Sequence, residues 1–172
     1  MKQSITIKPT ALEPLNNETS IFFHTESPLA FELSSTKENN YREWLHQVVI
    51  EEGYELTELN YIFCSDAYLH KMNVEYLNHD TLTDVIPFHH SDAPCCIEGD
   101  IFLRVPRLDE TAQKFGVLFL EELKRVMVHG LLHLLGYADK TETEQTQMTG
   151  KENFYLKKEV RDESNWSIMP DY

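Results

Sequence analysis

Two histidines, His129 and His133, stand four positions apart in a stretch rich in leucine. On an α-helix, residues at this spacing project from one face, so both imidazole rings can reach a single metal ion. Gly136 follows three residues after the second histidine, and glycine adopts the left-handed backbone conformation that ends a helix at little cost. Asp139 lies ten residues after the first histidine, where the chain can return a carboxylate oxygen. The spacing therefore predicts a metal site formed by His129, His133 and Asp139.

This ligand spacing is that of the extended zincin motif, with one difference. Zinc peptidases have a glutamate directly after the first histidine, and it takes the proton from the metal-bound water. Here that position is Gly130, which has no side chain. The pattern indicates a metal hydrolase that is not an ordinary peptidase, with another base or with a water acidified by the ion alone. The alternative is that both histidines merely pack on a buried helix, and it requires ligand spacing, a stop glycine and an acid to coincide by chance.

The length and composition are those of a globular protein. A chain of 172 residues with 41% hydrophobic and 26% charged residues can bury a sizeable core. We expect a single metal-hydrolase-like domain over residues 1–172, with a mobile tail from about residue 162 to 172. The net charge of −14 counts against general electrostatic attraction to nucleic acid. However, residues 1–100 contain 17 acidic and 5 basic residues, whereas residues 101–172 contain 12 and 10.

The cysteines and the apolar segments predict a cytoplasmic location. The three cysteines, Cys64, Cys95 and Cys96, form no Cys-x-x-Cys pair, and their odd number does not fit a disulfide framework. The first residues lack the apolar core of a signal peptide, and no apolar run approaches the length that spans a membrane. We therefore expect no membrane partner.

Hydrophobic periodicity predicts strands in the first half of the chain and helices in the last, which indicates an α+β fold. We expect a mixed four- or five-stranded sheet packed against helices, with the metal site at the end of the long helix in the C-terminal half. The predicted elements are strands near Ile5–Ile7 and Ile21–His24, a helix from Asn39 to before Gly53, a strand at Leu56–Cys64, a helix capped by Asp66 and running to Leu77, an extended edge segment at Thr83–Phe88 containing Pro87, a strand at Ile97–Val105, and helices at Pro106–Phe115, Val117–Leu135 and Glu142–Val160.

With these residues laid out, the chain resembles the YbeY family of metal-dependent endoribonucleases. The segment from His129 to Tyr137 matches the family signature His-Gly-x-Leu-His-Leu-x-Gly-Tyr. Two further blocks match in the same order, and the resemblance covers roughly residues 55 to 160. The residues of these two blocks are Asn73, Tyr76, Asp80, Thr83, Asp84, Val85, Ile86 and Phe88, followed by Gly99, Asp100 and Ile101.

The resemblance implies a cytoplasmic enzyme that cuts single-stranded RNA. It implies roles in ribosomal RNA processing, namely maturation of the small-subunit 3′ end and ribosome quality control. The partners would be ribosomal RNA and ribosomal particles or ribosome-associated proteins, and no DNA is expected. The cofactor would be one zinc ion, although two imidazoles and a carboxylate also suit other divalent transition metals.

The chain departs from the family pattern at two positions. Asp139 stands where the family usually has a third histidine, and a carboxylate lowers the charge of the bound site from plus two to plus one. Leu77 stands where the family usually has an arginine, a side chain that can hold phosphate oxygens in two-point contact. Arg104 on the neighbouring predicted strand is the candidate replacement, and the alternative is that it is an ordinary surface arginine.

Two other functions remain open at this point. A zincin-like amide hydrolase would use the same spacing, and Gly130 counts against it. A ribosome-biogenesis binding factor with a structural zinc would fit the acidic composition and Leu77. A structural site is coordinatively closed, whereas a catalytic site keeps a position for water. The sequence does not indicate the cleavage site, the oligomeric state, or whether water or the ribose 2′-hydroxyl attacks.

Overall fold

A computed structural model of the chain describes residues 20–27, 29–77 and 84–159, and of residues 72–77 it describes the backbone. Several predictions fall outside this part of the chain. They are the strand at Ile5–Ile7, the tail from about residue 162, and the side chains of Asn73, Tyr76, Leu77, Asp80 and Thr83.

The described residues form four strands and five helices. In chain order these are β1 (Ile21–Thr25), α1 (Ser35–Glu51), β2 (Glu55–Cys64), α2 (Asp66–Leu77), β3 (Val85–His89), β4 (Cys96–Arg104), α3 (Val105–Phe115), α4 (Phe119–Leu134) and α5 (Glu142–Lys158). Each element predicted within the described residues is present, with ends shifted by a few residues. α1 begins earlier than predicted because the side chain of Ser34 accepts a hydrogen bond from the backbone of Lys37.

The residue that caps the start of α2 is not Asp66, as predicted, but Ser65 before it. Asp66 is the first helical residue, and the hydroxyl of Ser65 accepts a hydrogen bond from the backbone N–H of Tyr68 at 3.3 Å. A serine in front of the helix therefore supplies the oxygen that the prediction assigned to the aspartate.

The four strands form one mixed sheet with the order β1-β2-β4-β3. β1 and β4 lie parallel to β2, and β3 runs antiparallel to β4 at the edge. Pro87 lies on this edge strand, which pairs with β4 on one side and with no described strand on the other. A proline is tolerated at such an edge because its missing N–H need not interrupt the hydrogen bonds between strands. The structure thus confirms the predicted α+β class with a mixed four-stranded sheet.

The main core lies between one face of this sheet and the helices α1 and α4. The apolar stripe predicted for α1 is buried there, namely Tyr41, Trp44, Leu45, Val48 and Val49. On the opposite face a smaller cluster joins Ile62, Phe102 and Ile86 to Leu69 of α2. The alternation of side chains along the strands divides the apolar residues between these two clusters.

Gly130 lies where α4 makes a close approach to the sheet. A Cβ atom at this position would lie 2.9 Å from Cγ2 of Ile101 and 3.1 Å from Cγ2 of Val85. Position 130 therefore faces the sheet, whereas His129 beside it projects about 100° away around the helix. A glutamate here would point into packed side chains, so the structure explains why the peptidase residue is absent.

The end of α4 is set by Gly136, as predicted. Its φ is 98°, its N–H donates to the carbonyl of His133 at 3.1 Å, and the N–H of Tyr137 donates to the carbonyl of Leu132 at 3.0 Å. Glycine adopts this backbone conformation without the steric cost that a Cβ imposes. The turn sends the chain back past the last turn of the helix, which brings Asp139 toward the two histidines.

Glu52, at the end of α1, anchors this turn and α5. Its carboxylate accepts hydrogen bonds from the hydroxyl of Tyr137 at 2.7 Å, from Nζ of Lys151 at 2.7 Å, and from the hydroxyl of Tyr155. Burial alone would raise the pKa of Glu52, but these three donors outweigh burial and lower it. The ionised carboxylate thus ties three segments together beside the site.

Across the described ranges, no helix combines the length and the apolar character that crossing a membrane requires.

Candidate metal centre

The three side chains predicted as ligands lie together. Nε2 of His129 and Nε2 of His133 are 3.0 Å apart, and Oδ2 of Asp139 lies 3.4 Å from the first and 3.3 Å from the second. The histidines are on α4 and the aspartate is in the loop before α5. In the described part of the chain, this is the one group of at least three His, Cys, Asp or Glu side chains with the proximity needed to hold a metal ion.

The distances between these three atoms suit an ion of the size of zinc. Zn–N and Zn–O bonds of 2.0–2.2 Å in tetrahedral geometry place neighbouring donor atoms about 3.3 Å apart. The three separations of 3.0, 3.3 and 3.4 Å lie close to that value. The donor set also suits a divalent transition metal, since it combines two imidazole nitrogens with one carboxylate oxygen.

Hydrogen bonds to Nδ1 orient both imidazole rings. Nδ1 of His129 lies 2.6 Å from Oε1 of Glu152, and Nδ1 of His133 lies 3.0 Å from the carbonyl oxygen of Tyr137. A carboxylate and a carbonyl both accept, so Nδ1 carries the proton and donates in each case. In a neutral imidazole with the proton on Nδ1, the lone pair is on Nε2, so the two Nε2 atoms and the Asp139 oxygen are then three acceptors that repel one another unless a cation lies between them. This is the usual arrangement around histidine ligands of metals.

Glu152 is the residue of this group that sequence reasoning missed. It lies on α5, 7% exposed, and its second oxygen accepts a hydrogen bond from Nη1 of Arg125 at 3.0 Å. The other Nη group of Arg125 donates to Oδ1 of Asn153 at 3.0 Å. No local spacing rule connects α5 to the histidine motif, so the sequence contained no signal for this contact.

A cleft opens beside His129, one of the three converging side chains. The described residues that line it are Asp84, Val85, Glu122, Arg125, Val126, His129 and Glu152. The side chains of His129 and His133 are 24% and 23% exposed, and that of Asp139 is 39% exposed. A structural zinc site is closed by four protein ligands. Three donors that reach the surface instead leave room for solvent or substrate.

The cleft contains more acidic than basic side chains. Burial raises the pKa of Glu122, the nearby charges of Asp84 and Glu152 raise it further, and Arg125 lowers it. The carboxyl of Glu122 therefore holds a proton at higher pH than an exposed glutamate does.

Arg104 is buried, so the interpretation of this residue as an ordinary surface arginine is wrong. The residue is 3% exposed, and its guanidinium pairs with Asp66 at 3.3 Å and with Asp84 at 3.9 Å. It is buried because two carboxylates compensate its charge at the end of β4. It is not among the described residues that line the cleft.

Gly99 and Asp100, of the third matching block, make contacts between neighbouring strands of the sheet. A Cβ at Gly99 would lie 2.4 Å from the backbone oxygen of Phe88, so close pairing of β3 and β4 requires glycine here. The carboxylate of Asp100 accepts a hydrogen bond from Asn60 at 3.0 Å and lies 2.9 Å from Nε2 of His90. These contacts connect neighbouring strands on the face opposite α4.

Comparison with known proteins decides the family. A family model described as Endoribonuclease YbeY matches residues 28–159. The chain belongs to the YbeY family. The Endoribonuclease YbeY of Flavobacterium johnsoniae is 49% identical over 122 residues, which are 71% of this chain and 87% of that protein. The Endoribonuclease YbeY of Cytophaga hutchinsonii is 45% identical over 139 residues, 81% of this chain and 95% of its own.

A solved structure shares the YbeY fold described above. The solution structure of TM1509 from Thermotoga maritima superposes with a TM-score of 0.55 at 25% identity, covering 84% of this chain and 98% of that one. The match of nearly the whole of that chain supports the fold assignment.

Proposed function

We propose that this protein is a metal-dependent endoribonuclease that cleaves single-stranded RNA during ribosomal RNA processing in the cytoplasm. Its roles would be small-subunit 3′-end maturation and ribosome quality control, with ribosomal RNA and ribosomal particles or ribosome-associated proteins as partners. The observation that carries the proposal is the convergence of two Nε2 atoms and a carboxylate oxygen, in a group whose member His129 also lines an open cleft. Membership of the YbeY family, and the shared name of its relatives, support the endoribonuclease activity.

The ligands would be His129, His133 and Asp139, which here takes the place of the third histidine. A bound zinc ion, or another divalent transition metal, would supply a Lewis acid for a phosphate oxygen and an acidified water. Glu152 and the carbonyl of Tyr137 hold the two rings so that Nε2 faces this position. The carboxylate of Asp139 lowers the positive charge of the site. An ion held by this set should therefore polarise water and phosphate less than the same ion held by three histidines.

Proton transfer requires a group other than residue 130, which faces the sheet. Glu122 lines the cleft and its pKa is raised by burial, so this carboxyl can exchange a proton nearer to neutral pH than an exposed glutamate.

The two alternative functions are less well supported. An amide hydrolase of the zincin type would need its glutamate at position 130, and that position has no room for a side chain. A binding factor with a structural zinc would need a closed site, whereas the three donors here are partly exposed beside the cleft.

The test replaces His133 with alanine and uses His46→Ala as the matched control, because His46 is exposed on α1 and is not one of the three converging side chains. Bound metal is measured by elemental analysis of protein purified without chelator. Cleavage is measured on end-labelled single-stranded RNA, on the same RNA in a duplex, on single-stranded DNA, and on small-subunit particles with an immature 3′ end.

His133→Ala should lose both the metal and cleavage of single-stranded RNA, while His46→Ala keeps both. Duplex RNA and DNA should remain intact with every protein. Full activity of a metal-free His133→Ala protein would refute the mechanism. Cosedimentation with ribosomal particles without any RNA cleavage would favour the binding factor.

A further inference from the structure

We propose that Arg125 is a substrate-binding residue, whose guanidinium holds a phosphate oxygen of the RNA beside the metal centre. This inference rests on the proposed function and names the group that would position the substrate.

Arg125 occupies the place in the fold from which a phosphate next to the metal centre can be reached. It lies one helical turn before His129 on α4, so both side chains project from the same face. Both line the cleft, and the Arg125 side chain is 39% exposed. A phosphate that contacts an ion at His129 therefore comes within reach of this side chain.

The guanidinium is held in a fixed orientation without using all of its donors. One Nη group donates to Glu152 and the other to Asn153, each at 3.0 Å. An arginine has five N–H donors in a planar fork, so these two contacts leave three for a ligand. Because Glu152 also binds His129, one carboxylate fixes the arginine relative to a metal ligand. Less rotamer entropy is then lost when a phosphate binds.

The charges of the cleft favour a role for this arginine in binding an anionic substrate. Its described lining contains three carboxyl side chains, Asp84, Glu122 and Glu152, and Arg125 is the one lysine or arginine among those lining residues. The whole chain has a net charge of −14. An RNA phosphate that enters the cleft is therefore repelled by several groups, and Arg125 opposes that repulsion together with the bound ion.

The experiment compares Arg125→Met, Arg125→Lys and a matched control, Lys114→Met. Lys114 is an exposed cation on α3 outside the described cleft lining, so its replacement removes the same charge elsewhere. Bound metal, kcat and KM on single-stranded RNA, the salt dependence of KM, and RNA affinity by fluorescence anisotropy are measured for each protein.

Arg125→Met should keep its metal and raise KM about 10- to 100-fold, the effect of losing a charge-assisted hydrogen bond. The slope of log KM against log salt should fall by about 0.7, the value for one phosphate contact to a single strand. Arg125→Lys should recover part of the affinity, because an ammonium keeps the charge but not the two-point contact. Lys114→Met should change KM less than twofold.

Three results would overturn the inference or its basis. Loss of the metal from Arg125→Met with unchanged RNA affinity would show that Arg125 only supports Glu152 and His129. An unchanged KM and salt slope, with RNA cleavage intact, would overturn the role of Arg125 but leave the proposed function standing. A wild-type protein that neither binds nor cuts single-stranded RNA would instead overturn the proposed function.

Discussion

Replacing Gly130 with alanine tests the close packing of α4 on the sheet. The new Cβ would lie 2.9 Å from a methyl group of Ile101 and 3.1 Å from one of Val85. Gly150 provides the matched control, because it is exposed in α5 and a Cβ there would have no neighbour within 4 Å. The same chemical change is thus made in two helices, once against packed side chains and once in open space.

The two replacements should change the free energy of unfolding by different amounts. Alanine is favoured over glycine in a helix by about 1 kcal/mol, and this gain applies to both positions. Overpacking a filled core costs about 1–3 kcal/mol, and this cost applies to Gly130 alone. Gly150→Ala should therefore stabilise the protein by up to about 1 kcal/mol. The free energy of unfolding of Gly130→Ala should be about 1–3 kcal/mol lower than that of Gly150→Ala.

The measurement is thermal and urea unfolding of the metal-free proteins, since a bound ion would add its own stabilisation. In a chain of this length 1 kcal/mol corresponds to about 2–4 °C in Tm. Gly130→Ala should melt at least about 2 °C below Gly150→Ala. Equal stability of the two variants, or a more stable Gly130→Ala, would contradict the claim that packing against the sheet leaves no room for a side chain at position 130.

Three further predictions concern the sheet, the metal site and the anchor beside it. Gly99→Ala should destabilise more than Gly130→Ala in the same unfolding assay, because its Cβ would meet a backbone oxygen at 2.4 Å, which side-chain motion cannot relieve. Glu152→Gln should weaken metal binding about 10- to 100-fold in a chelator competition, since a neutral amide is a poorer partner for the histidine ring; unchanged affinity would contradict this role. The folded-state pKa of Glu52 is lowered, so its stabilisation is present above the ordinary value of 4.5 and is lost as the pH falls through the folded-state pKa. Glu52→Gln should remove this part of the acid dependence of Tm, and an unchanged profile would refute it.

The sequence predicted the elements of the fold because their apolar periodicity is strong. The stripe from Tyr41 to Val49 is buried on α1 as expected, and the edge position of Pro87 follows from its missing N–H. The strand order was beyond reach, because nothing local indicates that β2 lies between β1 and β4. That residues 1–172 form one domain stays a prediction.

The site was predictable to the extent that it depends on helical spacing. The positions of His129, His133 and Asp139 follow from one helix and its terminating turn, and the structure brings their donor atoms together. Their assignment as ligands stays a prediction. The contacts of Glu152 and Arg125 were not predictable, because they depend on how α5 packs across α4.

Anomalous X-ray diffraction tests the central claim most directly, using crystals of protein purified without chelator and data collected on both sides of the zinc absorption edge. The account predicts one anomalous peak about 2.0–2.2 Å from Nε2 of His129, Nε2 of His133 and a carboxylate oxygen of Asp139, with solvent as the fourth ligand. A metal bound elsewhere, or one enclosed by four protein ligands, would contradict it.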